Sequence, residues 1–71
     1  MDASLTAINA ALRVLESTNG LRAPAKRDLR TLESFAGPKP PGLSLEEYAC
    51  DVIQNGMRQR RAVRRRALRA T

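Results

Sequence analysis

Seven arginines fall within the last fifteen residues of the chain: Arg58, Arg60, Arg61, Arg64, Arg65, Arg66 and Arg69. No acidic residue lies among them. A guanidinium is always charged, and its planar fork donates paired hydrogen bonds that match a phosphate or a carboxylate. The chemistry this spacing implies is therefore attraction to something densely anionic. The phosphate backbone of nucleic acid is the leading candidate, through contacts that release counterions and weaken steeply with salt. An acidic protein surface is the second. A passive solvated tail and an anionic membrane surface are the remaining readings, the last poorly served because Met57, Val63 and Leu68 are the only bulky apolar residues in the segment. Gln59 could meet a base edge. No aromatic residue is interleaved with the arginines, so single strands would find no stacking platform.

Other chemistries are poorly supplied. The chain has no histidine, hence no imidazole acid–base catalyst and no conventional Ser or Cys triad. Glu46 and Glu47 are adjacent, which points them to different sides of a helix, and helix capping accounts for both. The four glycines are scattered at turns and form no phosphate loop. With a single cysteine and no histidine, a structural zinc site has no ligand set. Cys50 is expected to be a small buried or half-buried residue, since nothing in the sequence would activate a thiol there. We expect no enzyme activity, no metal and no cofactor.

The net charge of +6 is unevenly placed. Residues 1–56 hold six basic and seven acidic side chains, so the whole surplus sits in residues 57–71. Seventy-one residues suffice for one small domain. Its core supplies only about 3–5 kcal/mol without reinforcement, and one cysteine allows no internal disulfide. A lone thiol suits a reducing compartment. No apolar run is long enough to span a membrane, and Met1-Asp2-Ala3-Ser4 lacks the basic start of a signal peptide. The expected location is the cytoplasm.

The elements that must position the arginines read as all-α: a small three-helix domain with a basic C-terminal helical extension. No stretch alternates with period two long enough to form a strand. The first helix is expected over about 4–18, capped by Ser4. Leu5, Ile8, Leu12 and Leu15 form its apolar stripe, read as core and alternatively as a self-association seam. Asn19-Gly20 stops it, both residues tolerating the left-handed conformation. A second helix is expected over about 24–36, with Pro24 in the first turn. Its core face is Leu29 and Leu32 with Ala25, Phe35 or Ala36 nearby, and Lys26, Arg27, Asp28 and Arg30 lie mostly opposite. Residues 37–42, Gly-Pro-Lys-Pro-Pro-Gly, form a stiff spacer whose composition also suits a polyproline docking motif.

The third helix, about 44–54, has the clearest start. Ser44 and Glu47 make a capping box, and Leu43 with Tyr48 a hydrophobic staple. Leu45, Tyr48, Ala49, Val52 and Ile53 face the core. Asn55-Gly56 could end this helix or be passed through. At 100° per residue, Leu45, Ala49, Val52, Gly56, Val63, Ala67 and Ala70 share one narrow arc, which favours continuity. A mid-helix glycine, which costs about 1 kcal/mol relative to alanine, opposes it. The expectation is a body over 1–56 and an arm over 57–71 that is helical when bound and frays when free. Helices one and three are where the body could self-associate.

One stretch resembles a known family. Leu45-x-x-Tyr48 followed by Gln54-x-Gly56-Met57-x-Gln59-Arg60-Arg61 is similar to the end of the small head–tail joining proteins of lambda-type tailed phages, allowing a one-residue shift within the third helix. Chain length is similar, and so is an Ala-rich first helix containing Ala10-Ala11-Leu12. The resemblance implies a phage-encoded ring in a virion neck beside packaged DNA, found in host cytoplasm or virion. It also implies a β-hairpin between two helices. Here that region reads as helix and proline-rich connector, and the arginine run extends further than the match.

Overall fold

A computed structural model describes residues 3–70, with side chains described as far as Leu68. It contains three helices: α1 (Ala3–Asn19), α2 (Lys26–Ala36) and α3 (Leu45–Ala70). No strand occurs among the described residues. The fold is all-α, as the absence of period-two alternation requires.

The third helix starts as its sequence dictates. The Glu47 backbone N–H donates to Ser44 Oγ at 3.1 Å, and the Ser44 N–H donates to Glu47 Oε1 at 3.4 Å. This reciprocal pair satisfies two amides that the first turn leaves without helical partners. Tyr48, Ala49 and Val52 are buried, while Leu45 and Ile53 pack half-buried around them. The helix then passes through Asn55 and Gly56 without interruption to Ala70.

The reason lies on α1. The buried face of that helix is Ser4, Ala7, Ile8, Ala10, Ala11 and Val14. The expected stripe is the core face only in part: Ile8 is buried and Leu15 packs half-buried against the core, but Leu5 and Leu12 are 44% and 51% exposed. Ile8 fills the space over Gly56, and Ala7, Ala10 and Ala11 share the core with Ala49, so the two helices approach closely. A Cβ built on Gly56 would lie 2.7 Å from Ile8 Cγ1 and 3.3 Å from the Ser4 carbonyl oxygen. Glycine is thus retained mid-helix for packing space rather than as a stop. The branched leucines would hold the helices apart on this side and are pushed to its rim. Ser4, expected as the cap, lies inside the first turn and is buried.

The helix directions follow from their contacts. Ser4 and Ile8 sit at Gly56, and the far end of α1 lies near Glu46, so α1 and α3 are antiparallel. Arg13 on α1 pairs with Asp28 on α2 at 2.9 Å, and Ala3 and Thr6 share a notch with Ser34 and Phe35, so these two helices are antiparallel as well. Asp28 was expected on the outer face with its basic neighbours. It is buried instead, receiving Nε and a terminal nitrogen of Arg13. A carboxylate buried this way requires such charge-assisted donors. Arg13 in turn is held above its ordinary pKa by that hydrogen bond. Leu32 is fully buried, and Leu29 and Phe35 are half-buried; Ala25 and Ala36 are exposed.

Three smaller expectations need correction. The second helix begins at Lys26, after Pro24 and Ala25, because Ala25 is extended (φ −65°, ψ 138°) and serves as the N-cap. The left-handed residue after α1 is Leu21 (φ 57°) rather than Asn19 or Gly20, since the helix consumes Asn19 and the reversal falls later. Cys50 is exposed, because it points away from the face that Ala49 and Val52 bury.

Residues 37–44 carry the chain from the end of α2 back to the start of α3. Gly37 has φ 80°, a value favouring glycine, and its N–H donates to Glu33 O at 2.8 Å. The Tyr48 hydroxyl donates to the Gly37 carbonyl, and Lys39 Nζ donates to Leu43 O at 2.6 Å. The first two bonds tie the connector to α2 and α3 at Gly37, and the third closes it on itself.

Candidate functional site

The body ends, in terms of burial, at Gly56. Every described side chain from Met57 to Leu68 is exposed, although the helix beneath them is continuous with the core-packed part of α3. Because α1 runs antiparallel and begins opposite Gly56, only the start of α1 and the α2 face border α3 past that point, at Arg58, Gln59 and Ala62 among the described residues. The arm over 57–70 is about 21 Å long at 1.5 Å per residue. It contributes to a molecule measuring 47 × 22 × 18 Å.

Arg58, Arg60, Arg61, Arg64, Arg65 and Arg66 all lie on this arm and are exposed. The side chain of Arg69 is outside the described residues. At 100° per residue the seven positions spread over about 240° of the helix circumference. The remaining arc, about 120° wide, holds Gln59, Val63 and Ala67. That arc continues the stripe Ala49–Val52–Gly56, on which α1 packs in the body. The expected alignment is therefore real in the body and unpartnered on the arm, where Val63 is 64% exposed. Met57, Arg60, Arg61, Val63 and Arg64 border a shallow depression of about 490 Å³ on one flank.

Sequence reasoning missed a second basic surface. Arg27 and Arg30 of α2 line an open notch of about 770 Å³ with Thr31, Ser34, Phe35 and Gln59. A smaller depression beside it shares Phe35 and Gln59 and is bordered by Arg58. The signal was present: positions 27, 30, 31 and 34 share one helical face. What the sequence lacked was the packing that sets α2 against the foot of the arm.

Among the described residues no three acidic or cysteine side chains converge as a metal-ligand group. No described helix is long and apolar enough to cross a membrane. Compared with protein-family models, curated proteins and solved structures, the chain matches none.

Proposed function

We propose that this protein binds nucleic acid through the phosphate backbone, using the α3 arm as a helical insert with little sequence discrimination. The observation that supports this most is the angular spread of the arginines. A flat acidic surface meets one side of a helix, so it would leave roughly half of a 240° arc in water. A groove walled by phosphates on both sides meets nearly all of it. The major groove of B-DNA, about 12 Å wide, admits an α-helix, and a 21 Å arm spans about six base pairs at 3.4 Å each. The body then acts as a handle: α1 packed against Gly56 fixes where the arm emerges.

Replacing Arg64, Arg65 and Arg66 by alanine tests the reading. Three lost phosphate contacts flatten the slope of log K against log salt by about 2.7 on duplex DNA. If the variant binds duplex as the parent does at every salt concentration, the arm is not the interface. The rival is an adaptor that docks its arm on an acidic protein. It gains ground if the parent ignores duplex DNA and RNA at low salt.

A further inference from the structure

We infer that Arg27 and Arg30 form a second phosphate-binding site at the foot of the arm, which takes the backbone of the same nucleic acid that the arm engages. This rests on the reading of the arm given above. Three observations carry it.

The first is composition. The notch brings together two guanidiniums, the hydroxyls of Thr31 and Ser34 and the Gln59 carboxamide, and no carboxylate lines it among the described residues. Such a set offers hydrogen-bond donors and positive charge, the requirements of an anion. No acidic partner pairs with Arg27 or Arg30 among the described residues, in contrast to Arg13, which Asp28 engages.

The second is continuity. Gln59 and Phe35 belong both to this notch and to the depression bordered by Arg58. The notch of Arg27 and Arg30 thus adjoins the Arg58 depression at Phe35 and Gln59, at the foot of the arm. A polyanion following the arm toward the body meets α2 next. A mononucleotide or free phosphate offers no such path, so the class of ligand is a polynucleotide phosphodiester.

The third is segregation within a nearly neutral body. Glu16 and Glu46 lie together at the other end of the α1–α3 pair, beside Asn19 and away from the foot of the arm. Arg13 and Arg22 lie against Glu16 and Asp28 there, so cations and carboxylates are mixed at that end, whereas no described carboxylate lines the notch.

The test is a salt titration of duplex DNA and duplex RNA binding by the full chain and three variants. In R27A/R30A the salt slope on DNA flattens by about 1.8, which lowers affinity roughly 60-fold at 0.1 M salt and by progressively less toward 1 M. Arg22→Glu removes the same two units of charge outside the notch and leaves the slope within a few tenths of the parent's. Circular dichroism confirms that each variant keeps its helices. If R27A/R30A matches the parent while R64A/R65A/R66A is weakened, the notch assignment is overturned and the arm stands. If Arg22→Glu flattens the slope as much as R27A/R30A does, the effect is diffuse charge and the notch is likewise overturned. If the parent fails to bind either duplex at low salt, the arm reading falls and this one with it. The ratio of the R27A/R30A effects on DNA and RNA shows which duplex seats its backbone in the notch.

Discussion

Replacing Gly56 by alanine separates the two roles a mid-helix glycine can play. In an unobstructed helix the change stabilises by about 1 kcal/mol, because alanine loses less backbone freedom. Here the new methyl would lie 2.7 Å from Ile8 Cγ1, 3.0 Å from Ile8 Cδ1 and 3.3 Å from the Ser4 carbonyl oxygen. Ile8 is only 9% exposed, and Cγ1 is not the free tip of its side chain, so α1 itself must shift. Overpacking of this kind costs about 1–3 kcal/mol. The net expectation is a loss of about 0–2 kcal/mol, or up to roughly 16 °C in Tm at the 4–8 °C per kcal/mol typical of domains this size. A double-mutant cycle with Ile8→Ala sharpens the outcome. With the isoleucine gone, Gly56→Ala regains its propensity gain, so the coupling between the two positions is about 1–3 kcal/mol. Urea denaturation followed by circular dichroism measures all four chains, with a stabilising osmolyte present so that the Ile8 variant stays folded. A gain of about 1 kcal/mol from Gly56→Ala in the parent, with coupling below about 0.5 kcal/mol, would refute the close α1–α3 seam. The direction assigned to the arm would fall with it.

Two further outcomes follow from the same packing. Tyr48→Phe removes the hydroxyl bond to the Gly37 carbonyl and lowers stability by about 1 kcal/mol near neutral pH. Burial, then the charge of Glu33, raises the Tyr48 pKa above the ordinary tyrosine value near 10. The folded state therefore favours the neutral phenol: its contribution is fully present below pH 10 and is lost as pH rises through the higher folded value. The stability difference between parent and Tyr48→Phe accordingly narrows in alkaline denaturation series, and a constant difference would contradict the assignment. Leu21→Gly, at a residue 94% exposed with φ 57°, raises stability by about 1 kcal/mol by relieving a left-handed conformation without losing contacts. A thermal melt checks it, and an unchanged Tm would show that Leu21 is not held in that conformation.

What the sequence made legible was mostly local. The Ser44–Glu47 capping box forms as expected, because cap chemistry depends on residues three apart and needs no tertiary knowledge. The division of charge was equally plain, and the burial boundary at Gly56 falls just before the first arginine of the run, Arg58. Long-range packing was harder to read. Periodicity favoured Leu5 and Leu12 as core because they are large and apolar. The choice between a leucine seam and an alanine seam on the same helix depends on how closely the partner approaches. That approach is set by Ala49 and Gly56, some forty residues away in sequence. Asp28 was misplaced for a related reason: its partner Arg13 lies on another helix, and nothing within α2 signals it. The Arg27–Arg30 notch escaped notice because a basic face on one short helix looks like ordinary solvated surface until α3 is set beside it.

The central claim is that the arm engages nucleic-acid phosphates. The most direct measurement is a fluorescence-anisotropy titration of the full chain with duplex DNA, duplex RNA and polyglutamate of matched charge, from 50 to 300 mM salt. The account predicts tighter binding to a duplex than to polyglutamate, with a log–log salt slope on DNA of about −4 to −7, corresponding to some four to eight phosphate contacts. Binding to polyglutamate as tight as to either duplex, or a slope near zero, would contradict it.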